Sequence, residues 1–150
     1  MFWGVRPYGR SLINARLETV KEKAMFSRLI ENGRCIIPAT GFYEWDGQKR
    51  PYLFSTEGRV MSLAGLVTER NEVMVLTREA QSPVDKVHGR MPCILLPEKE
   101  DAWLEPDGAD PNKILSSTPE LEMIPVSKEV NDVRNDGPHL IEPIQTLDSF

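Results

Sequence analysis

RCIIPATGFYEW, residues 34–45, is dense in β-branched and aromatic side chains and predicts a strand over residues 35–45. It also holds a puzzle. Glu44 stands between Tyr43 and Trp45, close to Phe42, where an alternating strand has little call for a charge. Aromatic neighbours thin out water around a carboxyl and raise its pKa toward the range useful for acid–base work. Reading outward, PYLFST (51–56), VMSLAGLV (60–67) and EVMVLT (72–77) predict further strands, parted by the turn-rich DGQKR, EGR and ERN. Upstream, apolar residues from Glu18 to Asn32 recur at helical spacing and stop at Gly33, a helix C-cap residue. Downstream, a loop over 78–92 leads to a short strand at CILL. Helices are expected around EKEDAWL and PNKILSS, and a strand at LEMIPV. Prolines make the tail from Pro119 to Pro143 extended. The fold class expected is a β-rich α+β single domain over 1–150, with antiparallel neighbours and a few peripheral helices.

With 40% apolar and 27% charged residues, 150 residues suffice to bury one core. No repeat or linker divides the chain. The opening MFWGVRPYGR breaks any apolar run that a signal peptide would need, and no later run approaches membrane-spanning length, so the expected address is the cytoplasm, without membrane partners. The net charge of −5 argues against a general nucleic-acid binder, yet it hides a gradient. Residues 1–50 carry nine Lys and Arg against five Asp and Glu, whereas residues 101–150 carry three against eleven. A basic front third is compatible with a face that contacts phosphates, and equally with ordinary charge scatter.

Asn14, Glu44 and His88 are the polar candidates. Each has an ordinary alternative: a capping asparagine, a surface carboxylate, a loop histidine. His88 lies in VHGRMP, where Gly89 and Pro92 tighten the backbone and Arg90 adds a cation, an arrangement suited to a phosphate-bearing substrate. Arg6, Arg10 and Arg16 supply more cations, and Trp3 offers an indole face for an unpaired base. Cys35 and Cys93 lack the paired spacing of a zinc site, and His88 and His139 are remote from them in sequence, so no metal site is expected. RNDGPHLIEPI (134–144) predicts a structural wrap with a turn at Asn135–Gly137.

The motifs INAR.ETV (13–20), RCIIPATGFYEW (34–45) and VHGRMP (87–92), with WG..P.G (3–9), PYLFS, AGL, LT.EA and RNDGP.LIEPI in this order, resemble the SRAP family, the SOS response-associated peptidases that process abasic sites. The resemblance runs over nearly the whole chain. It implies a twisted, barrel-like antiparallel sheet with a channel for single-stranded DNA carrying abasic sites, and no cofactor. It also implies covalent chemistry, in which an N-terminal cysteine exposed by autocatalytic loss of methionine forms a thiazolidine with the ring-opened sugar. On that resemblance Asn14 orients the cysteine, Glu44 assists proton transfer and His88 lies near the sugar. Arg16 and Arg90 contact phosphates and Trp3 lines the channel; Arg6 joins them only in the non-covalent reading below.

The family's Met-Cys-Gly-Arg opening is not matched here. The chain begins Met1-Phe2-Trp3, and neither Cys35 nor Cys93 has a free α-amine. The resemblance therefore leads us to expect a chain without the crosslinking nucleophile: a fragment or misassigned start, a shortened homologue, or one part of a split protein, with sheet edges prone to self-association. Two other functions remain in play, a non-covalent module for single-stranded DNA and a thiol hydrolase pairing Cys35 or Cys93 with His88. The second lacks a nucleophile elbow or helix terminus around either cysteine.

Overall fold

A computed structural model describes residues 2–5, 11–105 and 110–144. Its strands are β1 (Phe2–Trp3), β2 (Asn14–Arg16), β3 (Arg34–Ala39), β4 (Phe42–Trp45), β5 (Pro51–Ser55), β6 (Met61–Val67), β7 (Glu72–Glu79), β8 (Arg90–Pro92), β9 (Ile94–Leu95) and β10 (Glu122–Pro125). Three short helices join them: α1 (Ala24–Asn32), α2 (Glu100–Leu104) and α3 (Pro111–Ile114). The strand-rich α+β class is the one expected. No helix among the described residues is long and apolar enough to cross a membrane.

The strands divide between two sheets. The larger has the core order β1-β7-β6-β3, with β2 and β8 also on β7 and β9 on β6; the smaller is β10-β5-β4. Neither closes on itself among the described residues. Most pairs are antiparallel, as expected, but β1 and β2 run parallel to β7 along one side, with Trp3 opposite Val73 and Asn14 opposite Val75. This pairing joins segments sixty-one to seventy residues apart, and local pattern carries no trace of it.

The opening stretch crosses from one sheet to the other. Instead of one strand over 35–45, β3 pairs with β6 and β4 pairs with β5, and the chain switches sheets at Thr40–Gly41. Gly41 permits the switch by close approach: a Cβ there would stand 2.7 Å from Leu53 Cδ1 and 3.0 Å from the Phe54 carbonyl oxygen. Such corners, where a strand bends from sheet to sheet, are usual sites for glycine. Asp46 then forms the β4–β5 turn, its carboxylate accepting from the Gln48 and Arg50 amides at 2.9 Å each.

Because β6 and β7 are covered on both faces, their apolar residues split into two clusters. Ala64, Leu66, Met74 and Leu76 pack with Phe26, Ile30, Trp103 and Leu115 under the helices. Leu63 and Val75 pack with Phe54, Met91 and Leu121 between the sheets. Trp103 is wholly buried, a burial that contributes about 3 kcal/mol, and its indole N–H donates to the Cys35 carbonyl at 2.9 Å.

Three expectations need correction. The helix begins at Ala24; Leu17–Thr19 forms a 3₁₀ turn, because that segment follows β2 directly and buries Leu17 and Val20 against the sheet. The loop over 78–92 is shorter than expected, since β7 runs on to Glu79 and β8 returns beside it, Glu79 opposite Arg90. Residues 90–95 fill the fork where β6 and β7 part: the Cys93 amide donates to the Leu76 carbonyl and the Ala64 amide donates to the Cys93 carbonyl, both at 2.8 Å. The C-terminal wrap forms, but its turn falls at Val133–Arg134. The tail from Pro119 to Pro143 holds no α-helix, only β10 and 3₁₀ turns at Lys128–Asn131 and Pro138–Ile141.

Candidate functional site

Between the two sheets lies a cleft of about 600 Å³, and every described candidate faces it: Trp3, Asn14, Arg16, Glu44, His88 and Arg90. Arg6 lies outside the described residues. β1 and β2 bring Trp3, Asn14 and Arg16 from one side, β4 brings Glu44 from the other, and the β7–β8 hairpin carries His88 and Arg90. Ile37, Leu63, Val75 and Met91 supply apolar surface among them. Trp3 is 57% exposed, an uncommon state for an indole and one that leaves its face open to a stacking partner.

Period-two alternation sorts the aromatics around Glu44. Phe42 shares its side of β4 and stacks on Phe54, ring centres 5.4 Å apart. Tyr43 and Trp45 point to the other side, where the Tyr43 hydroxyl donates to the Leu140 carbonyl and the Trp45 indole N–H donates to Asn131 Oδ1. The drying of Glu44 thus comes from the cleft, whose lining includes Phe42 and Tyr43 but not Trp45, while Tyr43 and Trp45 tie β4 to the C-terminal tail. Burial pushes the Glu44 carboxyl above its ordinary value, against the opposing pull of His88. The two groups are close, His88 Nδ1 standing 3.6 Å from Glu44 Oε2.

His88 Nδ1 also lies 3.1 Å from both the amide nitrogen and the carbonyl oxygen of Arg90. Unprotonated, it accepts from that amide; protonated, it donates toward the carbonyl and faces Glu44. A change of protonation therefore changes which neighbour the ring serves.

Arg90 is differently placed from what a free phosphate ligand requires. Its Nη1 and Nη2 donate to Glu18 Oε1 and Oε2 at 2.7 and 2.9 Å, and Nη2 also donates to Thr77 Oγ1 at 3.1 Å. Its Nε is buried without a partner. Hydrogen bonds from Arg90 hold the Glu18 carboxyl down at about 2, and Glu18 accepts from the Glu79 amide as well. Arg16, in contrast, is exposed and makes no ion pair among the described residues. Glu18 and Thr77 were not singled out as site residues from the sequence. The expected helix over 18–32 absorbed Glu18, although it sits in INAR.ETV, two residues beyond Arg16.

Neither cysteine lines this cleft. Cys93 is fully buried with its thiol pushed up to about 12 by desolvation, and burial also raises Cys35. Both are therefore poor nucleophiles, which removes support for the thiol-hydrolase alternative. Among the described residues no cluster of three or more His, Cys, Asp and Glu could hold a metal ion.

The family model of SRAP, SOS response associated peptidase, matches residues 1–133. The chain belongs to the SRAP family. Within it, the abasic site processing protein YoqW of Bacillus subtilis is 33% identical, over 93% of this chain and 74% of that protein. YedK of Escherichia coli, also named an abasic site processing protein, is 30% identical over 96% and 74%. A solved protein of Bacteroides thetaiotaomicron superposes with a TM-score of 0.77 at 25% identity, covering 95% of this chain and 75% of its own. A phage-related protein of Bordetella bronchiseptica gives 0.71 at 30%, covering 84% and 70%. The SRAP assignment rests on the family model and these relatives.

Proposed function

We propose that this SRAP chain recognises an abasic site in single-stranded DNA and supplies the proton-transfer groups that process it. One observation carries the reading: in a chain of this family, Asn14, Glu44 and His88 meet in a single cleft together with Arg16, Arg90 and Trp3. The exposed Arg16 attracts the phosphate chain, and Trp3 stacks on a base beside the gap left by the missing one. The opened sugar then presents its aldehyde to the dry side of the cleft.

The covalent step follows the family chemistry. The α-amine of an N-terminal cysteine adds to the aldehyde carbon, giving a carbinolamine. Glu44, whose carboxyl burial raises above its ordinary value, gives a proton to the departing hydroxyl, which leaves as water and yields the Schiff base. The thiolate adds to the imine carbon and the nitrogen takes up a proton, closing the thiazolidine; one water is lost overall. Asn14 orients the amine and His88 exchanges protons with Glu44. Cys35 and Cys93 take no part.

That last point favours a second reading for these 150 residues taken alone, a non-covalent grip on the damaged strand. Denaturing gels decide between them, with an oligonucleotide carrying one abasic site and with this chain run beside a form extended upstream in its own reading frame to a Met-Cys start. The expected result is a heat-stable shifted band with the extended form only. A shifted band with the 150-residue chain would mean that another residue attacks the aldehyde and would overturn the step written above.

A further inference from the structure

Glu18 links two parts of the cleft. It follows β2, which carries Asn14 and Arg16, and its carboxylate grips the guanidinium of Arg90 on the β7–β8 hairpin, seventy-two residues away in sequence. It is fixed in turn by the Glu79 amide at 2.9 Å. A guanidinium has five N–H donors. Glu18 and Thr77 occupy three of those on Arg90, leaving one on Nη1 and the buried one on Nε. The charge is compensated, but donors remain, and the plane in which they lie is set by a two-point contact.

We propose that Glu18 is a positioning residue that sets specificity: it turns Arg90 from a general attractor of phosphates into a directional donor, read only by an oxygen seated in the cleft. The inference rests on the single-strand reading given above and deepens it. Arg16 and Arg90 then divide the labour. Arg16 supplies long-range attraction to any strand, while Arg90 adds almost none and discriminates by geometry. The oxygen it suits belongs to a phosphodiester or sugar hydroxyl next to the missing base, where the backbone can bend into a site that an intact nucleotide would fill.

The test uses the 150-residue chain and two labelled single-stranded oligonucleotides of one sequence, one intact and one with a reduced abasic site that cannot react. Affinities are measured by fluorescence anisotropy across a salt series. Wild type should prefer the abasic strand. Glu18→Gln uncovers a positive charge, so it should bind the intact strand several-fold more tightly at low salt. Its plot of log affinity against log salt should steepen by about 0.7, one phosphate contact on a single strand. Its preference for the abasic strand should fall. Glu18→Asp keeps the charge but shortens the reach, so it should keep the wild-type slope and lose the preference; it also covers the case in which the glutamine variant does not fold. Adding Arg90→Gln to Glu18→Gln should restore the wild-type slope.

Folded Glu18 variants with unchanged slope and preference would overturn the role given to Glu18 while leaving the reading of the cleft intact. A wild type that binds both strands equally, or neither, would overturn that reading and this inference with it.

Discussion

Glu18 and Glu44 are the two glutamates nearest the chemistry of this cleft, and the fold drives them in opposite directions. Glu18 meets a guanidinium fork and a backbone amide, and its carboxyl is held at about 2. Glu44 stands on a half-buried strand with only an imidazole nearby, and burial raises it. The residue type is the same and the partners decide. A carboxylate held charged by a guanidinium serves as an anchor, whereas burial that favours the protonated form makes a carboxyl better suited to pass a proton. Environments in one protein thus favour a structural use of the side chain at Glu18 and, on the proposed function, a chemical use at Glu44.

The largest expected effect tests the chemical half of that contrast. In the form extended to a Met-Cys start, Glu44→Gln should slow crosslinking by about 100-fold or more, the usual weight of a general acid or base, without weakening the binding of intact single strands. A glutamine variant that crosslinks at the wild-type rate would remove Glu44 from proton transfer. The structural half is tested by Arg90→Ala, which deletes the directional donor and leaves the Glu18 anion facing the DNA. Affinity for the abasic strand should fall about tenfold, the worth of a charge-assisted hydrogen bond. An unchanged affinity would leave Arg90 with a packing role only.

Smaller effects appear in stability. The Glu18 carboxyl is depressed in the folded chain, so its contribution is fully present above the ordinary carboxylate value. It fades as pH drops from about 4.5 toward about 2. Because 45% of the Glu18 side chain is exposed, solvent screening limits the pair to about 1 kcal/mol. The melting-temperature gap between wild type and Glu18→Gln should therefore close across that acid window. Glu44 has the reverse sign. Its raised carboxyl favours the folded state when protonated, and that advantage is lost as pH rises from the ordinary carboxylate value through the folded one. Glu44→Gln should then melt higher than wild type at neutral pH, with the gain shrinking under acid. Equal or opposite pH trends for the two variants would break the comparison.

How much of this could be seen in the sequence depended on whether the cause was local. The strands at 51–56, 60–67 and 72–77 were legible because turn residues bracket them and their side chains suit a pleated, buried surface. The convergence of Asn14, Glu44 and His88 came from motif order, and the cleft placed them together. The division of 34–45 was not legible, since a strand that changes sheets keeps its alternation through the corner and only Gly41 marks it. Nor was the Glu18–Arg90 grip. It joins a 3₁₀ turn to a hairpin, and a glutamate ahead of a helical pattern looks like an ordinary first-turn acid. The parallel pairing of β1 and β2 with β7 was hidden for the same reason, distance along the chain.

Cys93 has a further consequence. Its amide and its carbonyl are committed to two different strands at the point where those strands part, three residues after Arg90 and five after His88. The hairpin that carries both side chains is therefore anchored at its base by the core itself. On the proposed function, a DNA strand entering the cleft would meet groups whose backbone is already held in place, with little conformational entropy left to lose on contact. On that reading, a buried thiol residue that never touches the substrate preorganises recognition.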